Sequence, residues 1–214
     1  MGVFGFFMDP DNRFGRVMGW IGLVVLTNLL FLLCSLPIIS IGASYTAMYH
    51  VLLSSLRKKA PVNPFSEFGK GIRNNWKQAT LLWCGGLIIF FLLLMELYWS
   101  SQLNGIFEFI EPGITAAICI IIAISMFLFP TVAAFQGTIK EQLRNGFYFC
   151  MYKPVLSIGV IACNLVLPGL YILDQVNRPT YAFLLFFGGF AFGAFLSSHI
   201  LLKKFNVYLP PLSK

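Results

Sequence analysis

Residues 17–56 read VMGWIGLVVLTNLLFLLCSLPIISIGASYTAMYHVLLSSL, forty positions without one charged side chain. A helix that crosses a bilayer needs about 20 consecutive apolar residues. The run is too long for one crossing and only just long enough for two. Its middle, Ser35 to Ser44, gathers Pro37, Gly42 and three serines, a composition that favours a turn. The run therefore divides into a first helix at about 17–36 and a returning helix at about 43–56. The second arm is short, so a re-entrant or tilted helix is the alternative there.

Working outward, four more charge-free gaps follow: 78–95, 112–139, 154–173 and 179–202. Each holds one span, giving predicted helices at about 78–99, 113–136, 154–173 and 180–202. Composition agrees. Hydrophobic residues make up 58% of the 214, charged residues 11%, and mean hydropathy is +0.80. A soluble domain carries about 25% charged residues, and a disordered chain needs low hydrophobicity with high charge. Both classes are excluded. The expected fold is all-α: one integral membrane domain over 1–214, a polytopic bundle of six spans, or five if the short arm does not cross.

The placement of charge sets the expected orientation, because basic residues concentrate on the cytoplasmic side. Arg57, Lys58, Lys59, Lys70, Arg73 and Lys77 fill one loop, Lys140, Arg144 and Lys153 another, and Lys203, Lys204 and Lys214 the tail. Between Glu96 and Pro112 the charged residues are all acidic, Glu96, Glu108 and Glu111. With six spans, 14 of the 15 basic residues fall inside, Arg178 being the exception; with a single span in 17–56 the count falls to 12. The expectation is a plasma-membrane protein with both termini cytoplasmic. The net charge of +7 then marks a cytoplasmic face, not a nucleic-acid site. The first sixteen residues, with Asp9, Pro10 and Asp11, lack the basic region of a signal peptide, and Phe6 stands where a myristoylation signal needs Ser or Thr.

Two inner segments are amphipathic. Phe65, Phe68, Ile72 and Trp76 recur at intervals of three, four and four, with Lys70, Arg73 and Lys77 around them. A basic amphipathic helix over 65–77, capped by Ser66, suits the headgroup plane. Over 138–152, Ile139, Leu143, Phe147 and Met151 recur every four residues. Ile72-Arg73-Asn74-Asn75-Trp76 resembles Leu143-Arg144-Asn145-Gly146-Phe147, and each leads into a span, which suggests a duplicated unit. Such helices either rest on anionic lipid headgroups or dock a cytoplasmic partner.

Chemistry-bearing residues are few. Asn164 lies four residues before Pro168, whose ring frees the Asn164 carbonyl; kink and amide together form a polar notch. Asn28, Ser44, Thr46, Ser125, Ser157, Ser197 and Ser198 are the other polar residues in spans. Glu96 reads as an interfacial carboxylate beside Tyr98 and Trp99, and His50 and His199 as interfacial or core histidines. Gly189 and Gly193 form a GxxxG extended by Ser197, a surface for close helix packing; Ala43 with Ala47 and Gly85-Gly86 open others. Cys34, Cys84, Cys119, Cys150 and Cys163 read as small apolar residues. No nucleotide, metalloprotease or hydrolase motif occurs, so neither catalysis, cofactor nor metal is expected.

The segment Asn28 to Tyr49 resembles the signature of the bacterial YesL family. The likeness continues in Phe65-Ser66-Glu67-Phe68, in Asn75 to Thr80 and in Phe129 to Phe135. The resemblance implies an integral membrane protein linked to sugar uptake, an accessory subunit of a carbohydrate ABC importer. Its partners would be permease subunits, met through small-residue faces such as Gly189 and Gly193 and near the helix 65–77.

Overall fold

A computed structural model describes residues 13–100, 110–152, 154–205 and 207–208. Glu108, Lys153, Lys214 and the segment through Asn12 lie outside the described residues. The order is α1 (Arg13–Cys34), a 3-10 turn (Ile38–Ser40), α2 (Ile41–Lys58), α3 (Pro64–Ser100), α4 (Glu111–Ala134), α5 (Ile139–Met151) and α6 (Pro154–Leu173). The last helix is α7 (Arg178–Leu184) continued through a π-helical turn (Leu185–Gly189) into α8 (Phe190–Phe205).

Among the described residues, five stretches are long and apolar enough to cross a membrane: Phe14–Cys34, α3, α4, α6 and Arg178–Phe205. The protein is a polytopic helical membrane bundle. The expected returning helix exists as α2 but falls outside that set. It pairs antiparallel with α1, Phe31 against Tyr45 at one end and Gly19 against Pro61 at the other. Ala47, Met48, Tyr49, Val51 and Leu52 are fully buried. Other helices surround α2, so its serines, Thr46 and Tyr49 meet protein rather than lipid.

The turn between α1 and α2 behaves as Pro37 predicts. Pro37 is extended (φ −75°, ψ 120°), and its carbonyl accepts from the Ser40 amide at 2.9 Å and the Ser40 hydroxyl at 2.8 Å. Gly42 allows a close crossing: a Cβ there would stand 2.7 Å from the Ala79 carbonyl oxygen on α3. Helix α2 ends in a Schellman arrangement, Ala60 N donating to Ser55 O and Lys59 N to Leu56 O. Lys59 occupies the left-handed position at φ 54°.

The sequence reading placed an amphipathic helix at 65–77 and a separate span at 78–99. They are one 37-residue helix, α3. Nothing in Lys77-Gln78-Ala79-Thr80 breaks a helix, so the change from basic to apolar composition does not interrupt the backbone. The first turn is capped by Asn63, not Ser66: Asn63 Oδ1 accepts from Phe65 N at 3.1 Å and Ser66 N at 3.4 Å, with Pro64 as first helical residue. The segment packs against α2 along part of its length. Phe68, Gly71 and Ala79 are buried, and Gly71 meets Ala47 so closely that a Cβ would sit 2.9 Å from its Cα. The buried stripe is thus rotated from the expected one, and Phe65 and Trp76 stay exposed.

Helix α5 is the separate amphipathic helix expected. Thr138 and Glu141 form a capping box. Gln142, Gly146, Phe149 and Cys150 pack inward, leaving Ile139, Leu143, Phe147 and Met151 exposed. The start of α1 and the end of α8 lie at one end of the bundle, since Trp20 stacks near Phe195 and Phe31 near Phe190. Arg57, at the end of α2, and Lys203, near the end of α8, lie toward that end.

Beyond Trp83, α3 has lost α2 as a partner and runs on beside α4. Trp83 Nε1 donates to Ile38 O at 2.8 Å, which fixes the α1–α2 turn at that level. Ile88, Phe91, Leu92 and Met95 are exposed.

Candidate functional site

The centre of the bundle holds a polar node. Tyr45 and Tyr49 are four residues apart on α2 and share one face. Asn164 comes from α6 and Ser197 from α8. Tyr45 Oη donates to Asn164 Oδ1 at 2.9 Å, and Tyr49 Oη lies 3.0 Å from the same oxygen and 2.9 Å from Ser197 Oγ. Asn164 Nδ2 donates to Val160 O at 2.8 Å. Each hydroxyl has one proton, so two arrangements exist. Tyr49 donates to Ser197, which donates on to Ala194 O at 3.0 Å, or Ser197 donates to Tyr49, which donates to Asn164. The predicted notch at Asn164 and Pro168 is therefore filled by this chain's own tyrosines. The rings of Phe31 and Phe129 pack around Tyr45, 6.1 and 5.7 Å away between centroids.

A second polar contact clamps the π turn. A π turn widens the helix by one residue and leaves backbone groups poorly matched. Asn28, wholly buried on α1, meets them. Its Nδ2 donates to Leu185 O at 3.0 Å and Phe186 O at 2.8 Å, and its Oδ1 accepts from Ala191 N at 3.0 Å.

A third contact surrounds Lys204, only 1% exposed. Its Nζ donates to Phe149 O and Ser157 Oγ, both at 2.8 Å, and stands 4.9 Å from the centre of the Phe127 ring. Ser157 Oγ donates to Cys150 O at 2.6 Å. The ammonium thus ties α8 to α5 and α6. At the same end, His50 Nε2 lies 3.5 Å from Glu67 Oε2, and Lys70 Nζ 2.9 Å from Glu67 Oε1.

The sequence-selected residues divide. Asn164 and Pro168 belong to the node, and Pro37 and Gly42 to the turn. Phe65, Trp76, Arg73 and Lys77 are exposed, Lys70 is paired with Glu67, Phe68 is buried and Ile72 partly so. Gly189 and Gly193 are corrected: both are buried within the chain, Gly193 directly against the Cys163 carbonyl of α6. That face is occupied, so it offers nothing to a lateral partner. Sequence reasoning missed the roles of Tyr45, Tyr49, Lys204 and the Asn28 clamp. The i, i+4 tyrosine pair was a usable signal. Among the described residues, no three His, Cys, Asp or Glu side chains gather as a metal site would require.

Fold and node together define a multi-pass helical membrane protein. Residues 24–97 match the model of a family described as "Protein of unknown function, DUF624". That range covers the second half of α1, all of α2 and α3 nearly to its end. It takes in Tyr45 and Tyr49 and leaves out Asn164 and Ser197. No curated protein matches the chain, and no solved structure does.

Proposed function

We propose that this chain is a non-catalytic accessory subunit of a carbohydrate ABC importer, seated beside the permease with its basic end in the cytoplasm. The observation that carries the reading is α5. It is a capped amphipathic helix held against the bundle by Gly146 and Phe149, with Ile139, Leu143, Phe147 and Met151 facing outward beside Lys140 and Arg144. An apolar stripe presented this way suits a partner's helix or coupling segment. Resemblance to the YesL family supplies the transporter context, and the match over residues 24–97 supports a relation to that group. The permease contact falls on α5 and the outer face of α3, not on Gly189 and Gly193. A photo-crosslinking residue at Phe147, followed by affinity purification from native membranes, tests this. A crosslink to a permease subunit is expected. Recovery of the chain alone, under conditions that leave an importer intact, sinks the reading.

The polar node favours a second reading, a small carrier for neutral solutes. Transporters place their sites at broken helices near the bilayer midplane, and Asn164 lies one turn before Pro168. Flux of neutral oligosaccharides into proteoliposomes, lost in Tyr49→Phe, would be its mark; no flux above empty vesicles refutes it.

A further inference from the structure

Between α3 and α4 runs an apolar groove of about 540 Å³. Gly85 and Gly86 form part of its α3 wall, and a Cβ added at either meets nothing within 4 Å. Ile121, Ile122 and Ile124 line it from α4, and Ile139 and Leu143 of α5 line one end. From Leu81 to Phe90 the α3 wall is about 14 Å long. The volume lies within the range of small-ligand sites, about 300–1,000 Å³, while the shape is that of a chain.

That end is basic. Lys77 lies one helical turn before Leu81 and shares its face. Lys140 and Arg144 follow Ile139 and Leu143 on α5. Gln78 Nε2 donates to Gly137 O at 2.7 Å, so these two basic segments are fastened together. All three cations are exposed. Glu141 is the one carboxylate in the same turn, and its Oε2 is engaged by the Thr138 amide at 2.7 Å. The far end of the groove, at Ile89, Phe90, Ile121 and Ile122, carries no charge.

We propose that this groove is an anionic phospholipid site: one acyl chain lies between α3 and α4, and the phosphate sits among Lys77, Lys140 and Arg144. The lipid comes from the leaflet level with this end of the groove, beside the α1–α2 turn that Trp83 and Ala79 meet. The apolar walls accept the acyl chain in place of neighbouring lipid tails, and the cations add selectivity for a negative headgroup. The proposal does not rest on the importer reading, and its test uses the chain alone.

Full-length protein in neutral detergent is titrated with dioleoyl phosphatidylglycerol, dioleoyl phosphatidylcholine or glycerol 3-phosphate, and bound molecules are counted by native mass spectrometry. One phosphatidylglycerol per chain is expected, held at least tenfold more tightly than phosphatidylcholine and unaffected by glycerol 3-phosphate. The exposed triple variant Lys77→Gln, Lys140→Gln, Arg144→Gln should lose that tenfold preference while keeping its fold. Gly86→Leu, which fills the groove, should weaken retention of both lipids tenfold. Equal retention of the two lipids by the unchanged protein overturns the proposal. So does a preference that survives the triple variant, or competition by glycerol 3-phosphate, which would mark a free-phosphate site. Unchanged retention in Gly86→Leu also overturns it, as does a dimer that Gly86→Leu dissolves without affecting lipid.

Discussion

Replacing Asn28 by leucine removes three hydrogen bonds at once while nearly keeping the side chain's size. The bonds measure 3.0, 2.8 and 3.0 Å and join α1 to the π turn and the first turn of α8, 157 to 163 residues away. Side-chain hydrogen bonds between membrane helices average about 0.6 kcal/mol, so three amount to about 2 kcal/mol. On the soluble-protein scale of about 0.5–1.5 kcal/mol each, the sum reaches about 4.5 kcal/mol. The lower figure already shifts the folding equilibrium roughly thirtyfold. The neighbouring residue provides the control. Thr27 is equally buried, but its Oγ1 has no hydrogen-bond partner among the described residues. Thr27→Val should therefore be close to neutral. Equilibrium unfolding in mixed detergent micelles reads both variants. A loss of about 2 kcal/mol or more in Asn28→Leu, with under about 0.5 in Thr27→Val, is expected. Equal losses would mean that packing, not hydrogen bonding, holds α1 to the π turn, and would refute the reasoning.

Gly193→Leu drives a side chain into the Cys163 carbonyl and must separate α6 from α8; overpacking of this kind costs about 1–3 kcal/mol, measurable as a lower melting temperature in detergent. Lys59→Gly relieves a left-handed backbone at φ 54° and should stabilise by up to about 1 kcal/mol; a lower melting temperature would contradict the Schellman assignment. The Glu141 carboxyl is held below its ordinary value of 4.5 by hydrogen bonds from the Thr138 backbone, and then its side chain. Its folded pKa is lowered, so its contribution is present above that ordinary value and lost as pH falls through the lowered one. Glu141→Gln should melt below the unchanged protein at pH 7, with the gap closing in acid; a gap independent of pH argues against the capping box.

The spans were legible because hydropathy reports the surface that lipid sees, and α1, α3, α4 and α6 present that surface. Helix α2 was legible as a helix but not as a buried one: Pro37 and Gly42 mark its start, whereas its surroundings depend on α3, α6 and α8. The break expected before Gln78 failed because composition changed there while the backbone carried no stop signal. Asn63 followed by Pro64 was the true start signal and was readable. Charge along a sequence does not reveal depth, so Lys204 reads there as part of a basic tail although it is buried. The node needed partners 115 to 148 residues away from Tyr49, a distance that periodicity cannot bridge.

The overrun of α3 has a mechanical consequence. Cys34 ends α1 at the level of the turn that Trp83 grips, yet α3 continues for 17 more residues, about 25 Å. The apolar belts of α1 and of the α3–α4 arm are thus staggered along the bundle. A level bilayer about 30 Å deep that covers one belt leaves part of the other in the wrong medium. Tilting, local thinning or a neighbouring protein relieves such mismatch, at fractions of a kcal/mol per Å. Over a stagger of this size the sum becomes a lateral force of its own. Any companion thick enough to shield the arm would lower that cost without a single specific contact.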